Sequence, residues 1–271
     1  MEQIQAVRDR LASARPSDEL LALLTRVHVA LKEFAEAAAC VARISEKQRL
    51  VPRLVVLAGQ RQWHEAVELA KGANLNTDLS LSDLTAVRLI AARAAWHAAT
   101  ASVDAADGET ELPLAGPTGT DLTPANEAWQ LAMDCMKGLQ SLGWPPNVEL
   151  IAPTICAVAS ALGRQTAALE LMKEAAARRP MYTELQLHLE LLALSAGDAE
   201  TALLANRRQT DESEEVRIRR TGLLFQLRQF DECLATAISL SQLSTLESKH
   251  APVALAMGFA AAHRIGRLRK L

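Results

Sequence analysis

From Ser17 onward, apolar residues recur at spacings of three and four: Leu20, Leu21, Leu24, Val27 and Leu31, then Phe34, Ala37, Val41 and Ile44. That period lays them along one stripe of a helix, not on alternate faces of a strand. It returns over 84–103, 129–142, 148–162, 167–177, 185–194, 216–227 and 234–243, so the pattern predicts helix after helix. Only Leu50 to Leu57 holds enough valine to be considered a strand. A solitary strand leaves both edges unpaired, so this stretch is expected to be helical as well.

Punctuation fits the same reading. Thr123 before Pro124 has the pattern of a capping hydroxyl followed by proline at the first helical position, and Thr183 with Gln186 has capping-box spacing. Asn147 precedes Val148-Glu149-Leu150, a third candidate cap with an acid near the positive helix end. Pro16, Gly59, Gly72, Gly143 with Pro145 and Pro146, Gly163, Pro180 and Gly197 fall between the stripes, where helix pairs are expected to turn. The one long interruption, 104–124, carries Asp104, Asp107, Glu109, Glu111 and Asp121 among glycines and prolines and reads as a loop or linker. The expected organisation is therefore 1–103, the acidic segment 104–124, and 125–271, although both helical parts could belong to one stack.

An internal repeat is more specific. Gly163-Arg-Gln-Thr-Ala-Ala168-Leu-Glu recurs 34 residues later as Gly197-Asp-Ala-Glu-Thr-Ala202-Leu-Leu, and Ala175 and Pro180 follow the first copy where a second helix would close. The stretch Glu149 to Asn206 resembles the tetratricopeptide-repeat family, whose period this is. The resemblance extends with gaps to Phe230…Cys233, Trp63…Ala66 and Phe34…Ala37, each an aromatic three positions before a small residue. It implies an all-α, right-handed solenoid of helical hairpins. The repeats are divergent: Phe230 lies 31 residues after Ala199 and Trp63 lies 29 after Phe34, and no regular repeat is visible from about Leu84 to Gly143. A small residue lets two antiparallel helices approach, and the bulky one beside it fills the space. One such pair cannot cover its own apolar faces, so pairs stack.

Gly143-Trp-Pro-Pro-Asn147-Val, the following apolar helix and Ala161 to Leu171 also resemble a single pentatricopeptide unit, the RNA-reading relative of this architecture. The corresponding first-helix face offers Pro153, Ala157 and Ser160, which have little capacity to recognise a base.

Composition narrows the function. Hydrophobic residues make up 49% and charged residues 23%, which excludes a disordered acidic chain. A formal charge of −3 gives no global attraction to nucleic acid or anionic lipid. Met1 to Ala14 lacks the apolar core of a secretory signal, and the longest apolar run, Ala251 to Ala262, is too short to span a bilayer. Cys40, Cys135, Cys156 and Cys233 are scattered without a Cys-x-x-Cys pair, pointing to free buried thiols in a cytoplasmic or other reducing intracellular compartment.

Catalytic chemistry has no visible focus. His28, His64, His97, His188, His250 and His263 are dispersed and form no metal-binding pair. Trp63-His64 and Trp96-His97 read as helical packing pairs, and Gly116-Pro-Thr-Gly119-Thr lacks the lysine of a phosphate loop. Glu214-Glu215 with Arg217, Arg219 and Arg220 reads as a solvated face, and the basic end from Arg264 to Lys270 as a helix-dipole cap or a contact for an anionic partner. No catalytic residue, metal site or cofactor is expected.

What remains is surface. The helix 183–196 would present Leu187, Leu191 and Leu194, and the neighbouring first helix Ile218, Gly222 and Phe225. These residues are either core or an apolar groove for an amphipathic helix or extended peptide. The Lys and Asn with which some family members hold a terminal carboxylate are missing from this face. The expectation is a protein-binding adaptor or scaffold, or one subunit of a larger complex, that does not insert into membranes. An RNA-binding repeat protein is the first alternative and a small-molecule enzyme or sensor the second.

Overall fold

A computed structural model of the chain describes residues 16–74, 79–100, 122–243 and 248–267. Among the described residues the chain forms thirteen α-helices and no strand. They are α1 (Asp18–Ala30), α2 (Phe34–Arg43), α3 (Leu50–Gly59), α4 (Trp63–Asn74), α5 (Leu81–Thr100), α6 (Thr123–Ser141), α7 (Ala152–Leu162), α8 (Gln165–Arg178), α9 (Thr183–Ser195), α10 (Ala199–Arg208), α11 (Glu214–Gln226), α12 (Phe230–Ser241) and α13 (Ala251–Arg264). Two compact units divide at Leu142 and Gly143. Most of the acidic segment 104–124, expected as a divider, lies outside the described residues; α6 packs along α5 in the first unit.

In the first unit α1 pairs with α2 and α3 with α4, while α3 also touches α1 and α5. Its core holds Leu21, Ile44, Leu54, Val87, Trp96, Met136 and Leu139. In the second unit α7 pairs with α8, α9 with α10 and α11 with α12, and α13 closes against α11 and α12. Its core is built on Trp144, Ile151, Ile155, Met172, Leu185, Leu192 and Leu224. Trp144 is locked there from two sides: its indole Nε1 donates to Glu174 Oε1 at 3.1 Å, and its carbonyl accepts from Arg179 Nε at 2.6 Å.

Five hairpins turn in the same way. A left-handed residue follows the first helix, at Lys32, Arg61, Gly163, Gly197 and Arg228. Its N–H and that of the next residue donate back to carbonyls in the last turn, as in Arg61 N to Ala58 O at 3.1 Å and Gln62 N to Leu57 O at 2.9 Å. The second helix starts two residues after each left-handed residue, and the fifth residue after it is Ala37, Ala66, Ala168, Ala202 or Cys233. All five of those small residues are 0% exposed. The turn fixes the phase of the second helix, and with it the buried position of a small side chain.

Three expected caps are replaced. Leu122 is the cap of α6 and Thr123 is already helical. Tyr182 caps α9, while Thr183 Oγ1 meets Thr210 Oγ1 at 3.0 Å and Gln186 is buried and donates to Ala176 O at 3.1 Å. Asn147 lies inside a short 3₁₀ turn, Pro146–Leu150, ahead of α7. Gly59 and Gly72 lie within helices instead of breaking them. At Gly59 the reason is contact, since an added Cβ would come 2.5 Å from Val29 Cγ1 on α1.

Candidate partner-binding site

Leu187, Leu191 and Leu194 follow one another at helical spacing along α9. Leu191 is 44% exposed, Leu194 is 37% exposed and Leu187 is half-buried, so the row is not core. On α11, Ile218, Gly222 and Phe225 share one strip and are all half-buried. Phe225 is partly engaged elsewhere, with its ring edge-on to Phe230 at a centroid distance of 5.7 Å.

Between these helices lies a polar junction. Glu190, three residues from Leu187 and four from Leu194, is 0% exposed. Its Oε1 accepts from Asn206 Nδ2 at 3.0 Å and from Arg219 Nε at 2.9 Å, and its Oε2 accepts from Gln209 Nε2 at 2.6 Å. Asn206 also donates to Val216 O at 3.2 Å and accepts from Arg220 Nε at 2.7 Å, while Arg220 NH1 reaches both oxygens of Glu212. A buried carboxylate held by a guanidinium and two amides has its charge compensated, and removing any one member leaves others stranded. α7 with α9, and α11 with α13, approach closely, whereas α9 and α11 approach less closely and are bridged by this ion pair.

The expectation of a solvated face for the run with Arg217, Arg219 and Arg220 is corrected here. Arg219 pairs with a buried acid, Arg217 NH1 donates to Ser239 Oγ at 2.7 Å on α12, and Arg220 bonds Asn206 on α10. The signal in the sequence was Gln186 and Glu190, four apart and on the core side of an otherwise leucine-rich helix.

Three further features bear on chemistry. Burial pushes the Cys135 and Cys156 thiols up to about 12 and the Cys233 thiol to about 11, so none is a ready nucleophile near neutral pH. The Trp63 ring stacks on His97 of α5 at 4.5 Å, and Trp96 is buried separately. A surface depression of the first unit, lined by Glu46, Lys47, Leu50, Glu68 and Leu69 among others, brings together no histidine, cysteine or hydroxyl side chain. Among the described residues no group of three or more His, Cys, Asp or Glu is placed to hold a metal, and no helix is long and apolar enough to cross a membrane. No family model matches the chain, and a search of curated proteins returned no match.

Proposed function

We propose that the chain is a divergent tetratricopeptide-like repeat protein, its hairpins stacked with a right-handed twist within each unit, that acts as a non-enzymatic adaptor for a protein or peptide partner. The recurring left-handed turn and the buried small residue five positions after it support the repeat reading. The binding reading rests on one observation: Leu191 and Leu194 stand exposed in line on α9. Leu187, Ile218 and Phe225 extend that apolar surface, and the Glu190–Arg219 bridge holds its two helices in a fixed relation. An amphipathic helix laid on such a surface gains about 25 cal/mol per Å² of apolar area removed from water, before the cost of association.

A photo-crosslinking residue at position 191 of the full chain, activated in the source cells, tests this. A discrete protein adduct that is lost when the crosslinker is moved to exposed Glu200 on α10 is the expected result. Adducts to RNA, or the same adducts from both positions, would contradict the proposal.

A further inference from the structure

The first unit holds a group of cations that the apolar surface of the second does not explain. Arg93 is half-buried on α5, yet it makes no hydrogen bond or ion pair with any described residue. Arg49 and Arg179, half-buried as well, donate to Ile44 O at 2.7 Å and to Trp144 O at 2.6 Å, whereas Arg88 and Arg208 share with Arg93 a half-buried side chain without a hydrogen bond or ion pair to a described residue. Arg93 is half-buried, so part of its side chain stays open to solvent. One helical turn further on is His97, stacked on Trp63 with 14° between the rings. Arg61, exposed in the left-handed turn two residues before Trp63, completes the group.

The electrostatics agree with the geometry. Burial, then Arg93, then Arg61 hold the His97 imidazole down to about 4, so both guanidinium charges reach that ring. Burial also draws the Arg93 guanidinium down, with no described acid to offset it. A partly desolvated cation left unpaired is costly in the free protein, and an arriving oxyanion recovers that cost through charge-assisted hydrogen bonds.

We propose that Arg61, Arg93 and the Trp63–His97 stack form a docking site for an acidic peptide, with a side-chain carboxylate on the two guanidinium groups. Charge complementarity selects the anion, since a carboxylate would supply what Arg93 lacks. The aromatic stack flanks the charges with apolar surface that suits a polypeptide better than a free inorganic ion. The site lies on the first unit and does not depend on the leucine row.

The test is fluorescence anisotropy of a fluorescein-labelled hexaglutamate peptide titrated with the full chain at low salt. Saturable binding, weakened about tenfold by Arg93→Gln and by Arg61→Gln, is expected. Arg88→Gln, on the same helix but near Cys135 of α6, should leave it unchanged. Arg61 is exposed, so its variant keeps the test valid if Arg93→Gln perturbs folding. Arg93→Gln itself should melt at or above the parent, because an unpartnered charge is removed; a clear fall would mean that Arg93 supports the fold and would overturn its assigned role. Binding unaffected by both variants, or displacement of the peptide by inorganic phosphate at equal charge concentration, would overturn the proposal.

Discussion

The α5–α6 pair and the α9–α11 junction show two ways of joining helices. Along α5 and α6 the helices come close at Gly138, where an added Cβ would come 2.5 Å from Thr85 Oγ1, and both helices bury small residues, Ala91, Ala92 and Ala95 on α5 and Ala128 and Ala132 on α6. Between α9 and α11 the joint is Glu190 with Arg219, backed by Asn206 and Gln209. Close packing of small side chains gives dispersion contact over a long seam but tolerates only smallness. A compensated buried ion pair adds little net stability, yet it fixes which groups face each other. The exposed leucine row stands beside the second kind of joint, where the fold needs a defined spacing without an apolar seal.

Overfilling a crossing should produce the largest loss. Ala168→Asp or Ala202→Asp places a carboxylate where the native side chain is 0% exposed, and each should cost about 4 kcal/mol in denaturant melts. Glu190→Ala strands Arg219 and two amides and should cost about 3 kcal/mol, most of it recovered if Arg219 is changed to Met in the same chain. Gly138→Ala should cost about 1–2 kcal/mol, and Thr85→Ala in the same molecule should restore part of it.

A smaller effect is set by pH. His97 is held near 4 in the folded chain against 6.5 as its ordinary value, so the unfolded chain takes up the proton first. The stability this ring contributes is therefore complete above about 6.5 and is lost as pH falls toward about 4. A proton NMR titration should find the ring neutral down to that range, and Arg93→Gln should move its midpoint upward. An unperturbed midpoint in the parent would remove the argument for proximity to Arg61 and Arg93.

The periodicity made the helices legible, including α3, whose valines suggest a strand only when its surroundings are ignored. Gly163 and Gly197 marked their turns because the left-handed backbone they adopt favours glycine. Lys32, Arg61 and Arg228 hold the same conformation with side chains that carry no such mark, and those turns could be inferred only from the small residue five positions later. The leucine row was readable from spacing, but its exposure was not, because an amphipathic stripe looks the same whether a neighbouring helix covers it or not. Glu190 on the core side of α9 signalled a buried acid, but its partners were illegible, because they lie 16, 19 and 29 residues away, beyond any local pattern.

The adaptor reading is tested most directly by a double substitution, Leu191→Glu with Leu194→Glu, compared with the parent for both melting temperature and recovery of the crosslinked partner. Both positions are exposed, so stability should change by no more than about 0.5 kcal/mol while partner recovery collapses. Full recovery by a variant that melts like the parent would show that the row is ordinary surface and that the partner, if there is one, binds elsewhere.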